Sequence, residues 1–404
     1  MTRAGNTRGA KARRVVVKIG SAVLAGTDGG LDRARVDALV DEIAAQHAAG
    51  REMIVVTSGA VAAGVVRLGL AQRPKLIPQK QAAAAVGQIG VMSAYEAAFA
   101  RHQLKVAQVL LTQDDLNSRR RYLNAKHAMM TLLEWRVIPV VNENDTVVVE
   151  EIKLGDNDNL SALTAILLDA DLLVVLSDID GLHTADPRSN PDAALIPAVD
   201  AVTPAVEAMA SGGGPLGTGG MATKLGAAKK VCASGIAAIV ADGRRPGVIG
   251  SVLAGAPDVG TFFHPVADRL ASRKRWIAFT LKPAGALVVD DGARRALIEQ
   301  GRSLLPSGLR EVRGAFGVGA CVQCFDLAGR EIARGLASYG AAELEKIAGR
   351  HSRDIESILG YSRGDEVIHR NDLVRLERDG MGSGASDAGG RVAAAEIRAK
   401  GESS

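Results

Sequence analysis

VVVKIGSAVLAGTDGGLDRARVDALVDEIAAQHAAGREMIVVTSG, residues 15–59, decides the architecture. Residues 14–19 form a short apolar run rich in valine, the signature of a strand buried on both faces. Residues 31–49 follow with Leu31, Val36, Leu39, Val40 and Ile43 on one broad helical face, and Gly50 supplies the stop. A second apolar run at 53–56 leads into a Ser58-Gly59 turn and another helix. Further short apolar runs at 106–111, 137–141, 172–176 and 236–240 are mostly separated by helical patterns. Strand–helix alternation of this kind predicts an α/β fold, a three-layer sandwich with a mainly parallel central sheet covered on both faces. In such sheets ligands bind beyond the carboxyl ends of the strands. Lys18, Ser58, Asn142 to Asp145, and Ser177 with Asp178 all fall there.

The chain has 404 residues, 47% of them hydrophobic and only 3% aromatic, enough for a large core and for two domains. A net charge of +4 is mild and does not by itself call for a nucleic-acid partner. Three cysteines are too few for a disulfide scaffold. Cys321 and Cys324 form one CxxC without a second pair, and packing is favoured over metal or redox use because zinc wants four ligands. No stretch approaches the ~20 apolar residues of a membrane span, and the basic N-terminus leads into a strand and not an apolar signal core, so the expected location is the cytoplasm.

Domain limits follow from composition. Residues 1–12 are expected to lack structure, 13–264 to form the α/β domain and 265–282 a basic linker. Residues 283–370 carry short strands between D-D-G, P-S-G and A-G-R turn signals, with one helix at 293–300, which predicts a small, mostly β domain. Its last helices are expected at 341–348 and 354–359. The glycine-rich residues 371–404 are expected to be a tail without structure.

Chemistry concentrates in the loops. Lys18 follows a strand, where it can reach a phosphate or simply sit in solvent. GTGGMATK, residues 217–224, opens a helical run with four glycine-flanked N–H groups and Lys224 one turn in, a good anion site or else a flexible loop. It is not a GxxxxGK[ST] P-loop, and no GxGxxG follows a strand. GDND, residues 155–158, brings Asp156 and Asp158 around Asn157, and could equally cap the next helix. NEND, residues 142–145, has the same ambiguity. VVVEEI, residues 147–152, reads as a hairpin arm and a lid over the substrate.

Together, VVVKIGSAVL, VTSGAVAAG, NENDTVVVEEIKLGDNDNLSA, LSDIDGLHTADPR and GTGGMATK closely resemble the bacterial glutamate 5-kinase family, within the amino acid kinase superfamily. The second domain resembles the PUA domain that many of these enzymes carry. The likeness runs from about residue 14 to about 374. The departures are small: Ala22 where many members have a second serine or threonine, and Ser177 where a threonine is common.

The resemblance implies ATP-dependent phosphorylation of the L-glutamate side-chain carboxylate to L-glutamyl 5-phosphate, the first step of L-proline biosynthesis, with Mg2+. It implies that Lys18 and Lys224 hold the ATP phosphates and that Asp158 orients both lysines. It places Ser177, Asp178, Thr218, Gly219, Gly220, Met221, Ala222 and Thr223 around the nucleotide, and Ser58, Asp145 and Asn157 on glutamate. It assigns no protein metal ligand, and the ionised acceptor leaves no need for a general base. It further implies a homo-oligomer, feedback inhibition by L-proline and channelling to glutamyl-5-phosphate reductase. Two other readings compete: a related kinase for N-acetylglutamate or carbamate, and an RNA-binding protein working through the second domain. Residues 283–370 carry twelve basic and twelve acidic side chains, and such a neutral module lacks the footprint RNA affinity needs.

Overall fold

The computed structural model describes residues 7–27, 29–147, 156–210, 220–265 and 283–376. The first domain is built on an eight-stranded sheet. Its strands are β1 (Arg14–Ile19), β2 (Glu52–Val56), β3 (Val106–Leu111), β4 (Ile138–Glu143), β5 (Leu172–Ser177), β6 (Ala198–Val199), β7 (Ala237–Asp242) and β8 (Thr261–Phe263). Their order is β3-β4-β2-β1-β5-β7-β8-β6. The pairs from β3 through β7 are all parallel, β8 runs against its neighbour β7, and β6 pairs parallel with β8.

Alternation explains the layers. Side chains one apart on a strand point to opposite faces. Val15, Val17 and Ile19 enter one core together with Met53 and Val55, and Val16, Ile54 and Val56 enter the other. Helices Arg33–Ala48, Ile77–Ala100 and Val248–Ala254 cover the first face. Helices Arg119–Glu134, Asp156–Leu167 and Met221–Ala233 cover the second. The expected three-layer architecture is thus present. Helix boundaries have local causes: Asp32 caps Arg33–Ala48 by accepting from the Arg35 N–H at 3.0 Å.

The chain from Gly285 onward forms a second sheet, ordered β10-β9-β11-β12-β13. These strands are β9 (Gly285–Val289), β10 (Leu309–Arg313), β11 (Cys321–Phe325), β12 (Glu331–Leu336) and β13 (Leu373–Arg375). Cys321 and Cys324 lie three apart on β11 and therefore face opposite ways. Cys324 enters the main core of this domain, while Cys321 packs with Leu336 and Val374.

Two expected limits move. Residues 7–11 form a helix, not coil, and Ala12 is buried. Arg51 accounts for this, since its guanidinium donates to the carbonyls of Ala12 and Ala10. The second domain does not end at residue 370, because β13 pairs with β12 up to Arg375. The expected linker beyond residue 265, the tail beyond 376 and the arm at 148–152 lie outside the described residues.

Candidate active site

Lys18 is the fifth residue of β1, so it shares a face with Val16 and points toward the second layer of helices. Two of those helices begin at that end of the sheet. Asp156–Leu167 brings Asp158 in its first turn, and Met221–Ala233 brings Lys224. Each of the three is at least 94% buried, an unusual place for formal charge. They compensate one another. Lys18 Nζ lies 2.6 Å from Asp158 Oδ1, and Lys224 Nζ lies 3.5 Å from Asp158 Oδ2. The Thr223 hydroxyl also reaches Asp158 Oδ2 at 2.6 Å. One carboxylate thus spaces two ammonium groups at the mouth of β1.

Electrostatics follow from that packing. Burial by itself would raise the Asp158 pKa, but Lys18, Lys224 and the Thr223 hydroxyl outweigh it and hold the carboxyl below its ordinary range. For Lys18 burial is the largest influence and draws the ammonium below the ordinary lysine value. Asp158 opposes that shift, and Lys224 adds to it. Two cations and one buried anion leave the cluster with surplus positive charge, ready for a polyanion.

The cluster lines a cavity of about 530 Å³. Ser58 stands on its wall, its hydroxyl donating to the Ile19 carbonyl at 2.9 Å and tying the ends of β2 and β1. The turn it opens depends on Gly59, whose φ of 95° is a left-handed value other residues avoid. Half-buried Asp145 and Asn157 line the same cavity, and Asn157 Oδ1 is buried without a hydrogen-bond partner. Ser177 and Asp178, at the end of β5, line it from the other side. The Ser177 hydroxyl donates to Asp178 Oδ1 at 3.2 Å, and Arg188 donates to Asp178 Oδ2 at 3.2 Å. Gly220, Met221 and Ala222 complete this wall at the helix start.

Eleven of the expected residues therefore line one cavity: Lys18, Ser58, Asp145, Asn157, Asp158, Ser177, Asp178, Gly220, Met221, Ala222 and Lys224. Thr223 stands behind, bonded to Asp158. Thr218 and Gly219 lie outside the described residues. Asn142, Arg73 and Lys80 also line the cavity and were not assigned from the sequence. Asn142 belonged to the quoted NEND stretch, whereas Arg73 and Lys80 sit where no glycine turn or strand end marks them.

Among the described residues no three His, Cys, Asp or Glu side chains gather as a metal cage, and no helix is long and apolar enough to cross a membrane.

Known proteins resemble this chain in sequence. The sequence model of the amino acid kinase family matches residues 13–242, and that of the PUA domain matches residues 285–359. The protein named glutamate 5-kinase from Citrifermentans bemidjiense is 56% identical over 367 residues, covering 91% of this chain and 98% of that protein. The glutamate 5-kinase of Myxococcus xanthus is 52% identical over 375 residues, covering 92% and 98%. Among solved structures, UMP kinase from Bacillus anthracis aligns over 63% of this chain and 97% of its own, with a TM-score of 0.44 and 18% identity. The chain belongs to the amino acid kinase family and carries a PUA domain behind its kinase fold.

Proposed function

We propose that this enzyme transfers the γ-phosphoryl group of ATP to the side-chain carboxylate of L-glutamate, giving L-glutamyl 5-phosphate and ADP, the first step of L-proline biosynthesis. The observation that carries the reading is the Lys18–Asp158–Lys224 cluster on the same cavity as Ser58, Asp145 and Asn157. The relatives that share most of the chain support the choice of acceptor.

The acceptor carboxylate has a pKa near ~4.3 and is already an anion at neutral pH, so no general base has to take a proton. The obstacle is the approach of one anion to a polyanion. Lys18 and Lys224 supply fixed positive charge where the transferring group gathers negative charge, and the N–H groups opening helix Met221–Ala233 add donors there. Asp158 keeps the lysines apart and aimed before the nucleotide arrives, so little reorganisation remains at the moment of transfer. Ser177, Asp178, Gly220, Met221 and Ala222 form the nucleotide wall. Ser58, Asp145 and Asn157 form the acceptor wall, where Asp145 offers a carboxylate to the α-ammonium.

The donor set fits magnesium brought in on the phosphates and water. Asp158 is committed to two lysines, and half-buried Asp178, on the nucleotide wall, would face such an ion's water shell. When bound, the ion would neutralise charge on the β- and γ-phosphate oxygens.

An acceptor panel tests the reading. ADP release by the purified protein should depend on L-glutamate, and should be at background with N-acetylglutamate, L-aspartate or no acceptor. Turnover with N-acetylglutamate and none with glutamate would reject it, since an acylated amine has no charge for Asp145 to meet.

Lys18 also sets a pH dependence. It must be protonated to carry its charge, and burial lowers its pKa. The kcat/KM profile, which reports the free enzyme, should fall on the alkaline side at a pH below the ordinary lysine value of ~10.4. In kcat the same limb should lie higher, because bound phosphates favour the ammonium. A kcat/KM profile flat through the lysine range contradicts this role.

A further inference from the structure

Behind the acceptor wall lies a polar contact that the roles above do not use. Asn142, at the end of β4, is 1% exposed and lines the cavity. Its Nδ2 donates to Gln88 Oε1 at 2.8 Å. Gln88 is buried in the middle of helix Ile77–Ala100. The other two amide atoms, Asn142 Oδ1 and Gln88 Nε2, are buried without a partner. A buried acceptor left unpaired on a cavity wall is costly and fits a group that awaits a ligand's donor.

The helix holding Gln88 is fixed closely. A Cβ on Gly87 would sit 1.9 Å from the Ala60 carbonyl oxygen, and one on Gly64 would sit 1.7 Å from that of Ala83. Only glycines let the backbones of Ile77–Ala100 and Ala60–Arg67 touch in this way. Seven residues beyond Gln88 on the same helix face, the Tyr95 hydroxyl meets Thr57 Oγ1 at 3.0 Å, at the end of β2. The helix is thus pinned beneath the ends of both strands that lead to the acceptor wall.

We propose that Gln88 is a positioning residue for the acceptor: by accepting from Asn142 Nδ2 it turns the Asn142 carbonyl oxygen toward the α-ammonium of the substrate. The two branches of an amide diverge, so tying the nitrogen to the helix behind commits the oxygen to the cavity. The ammonium would then meet Asn142 Oδ1 as well as Asp145, using two of its three N–H donors. This rests on the glutamate reading above.

The test is Gln88→Leu, of similar volume without an acceptor, beside Gln88→Glu, which keeps an acceptor oxygen for Asn142. Gln88→Leu should raise the KM for L-glutamate about tenfold, the loss of roughly one hydrogen bond to a charge, with kcat and the KM for ATP within about twofold. Gln88→Glu should return the KM to within about threefold of wild type. The inhibition constant of glutarate, which has both carboxylates and no ammonium, should not move in either variant. Equal weakening of glutamate and glutarate would overturn the proposal in favour of a merely structural role, and so would an unchanged glutamate KM in Gln88→Leu. Gln88→Met, checked by circular dichroism, replaces the leucine variant if that one does not fold. Wild-type protein inactive on glutamate would fail the functional reading itself, and this inference with it; active wild type with an unaltered variant would fail the positioning alone.

Discussion

Lys224→Ala is expected to lower kcat about 10²-fold or more while changing the KM for glutamate little. Lys224 is 6% exposed and its Nζ lies 3.5 Å from Asp158, in the first turn of Met221–Ala233. An ammonium fixed and buried in this way reorganises little when charge builds on the phosphoryl oxygens. Its attraction for the transferring group therefore strengthens between ground state and transition state, and interactions of that kind appear in kcat. In the proposed arrangement glutamate meets the other wall, so its binding should be spared. Steady-state kinetics with both substrates varied measure the split. A variant with near-normal kcat would take Lys224 out of the chemistry. Removing the lysine also takes one of its cations from Asp158, so thermal unfolding should accompany the kinetics, to separate lost catalysis from lost protein.

The legible parts of this molecule are those whose causes are local. β1 reads from sequence as residues 14–19 because the three valines at 15–17, buried on both faces, favour a strand. Helix and strand ends elsewhere shift by a residue or two, as at Arg33–Ala48, where the Asp32 cap and not the first leucine sets the start. The N-terminal helix was not legible, because its anchor is Arg51, some forty residues away. Strand β13 was missed for the same reason: three residues make a strand only because β12 lies beside them. In the site, Lys18 stands near the end of β1 while Asp158 and Lys224 lie in the first turns of helices, so their convergence follows from the parallel sheet. Gln88 and Tyr95 carry no such mark. Their polar partners, Asn142 and Thr57, are 54 and 38 residues away, and an alanine-rich helix hides both in an apolar run.

Asp158→Asn should be the most damaging single change to the cluster, and it should act on stability and on catalysis by the same cause. Asparagine keeps the volume and can still face Thr223, but it removes the anion that pairs with both buried lysines. Breaking a buried ion pair by deleting one partner costs about 3–5 kcal/mol, because the remaining charge stays desolvated and unpaired. For a domain of this size that corresponds to a fall in Tm of roughly 10 °C. The variant has a route of escape, which gives the idea its sharpest test. Lys18, whose pKa is already lowered by burial, should lose its proton more readily once Asp158 no longer opposes that shift. The unfolded chain would then bind more protons than the folded one, so the variant's stability should rise with pH below the ordinary lysine value. In the wild type, the depressed Asp158 pKa gives a contribution present above the ordinary carboxylate range and lost as pH falls through the folded value. ATP should rescue the variant more than the wild type in thermal unfolding, since phosphate can replace the missing carboxylate between the lysines. It should not rescue turnover: with the lysines no longer spaced beforehand, kcat should fall about 10²-fold. A variant with wild-type Tm and no added benefit from ATP would show that Asp158 does not hold the lysines in place, and near-normal kcat would show that such placement is not what drives transfer.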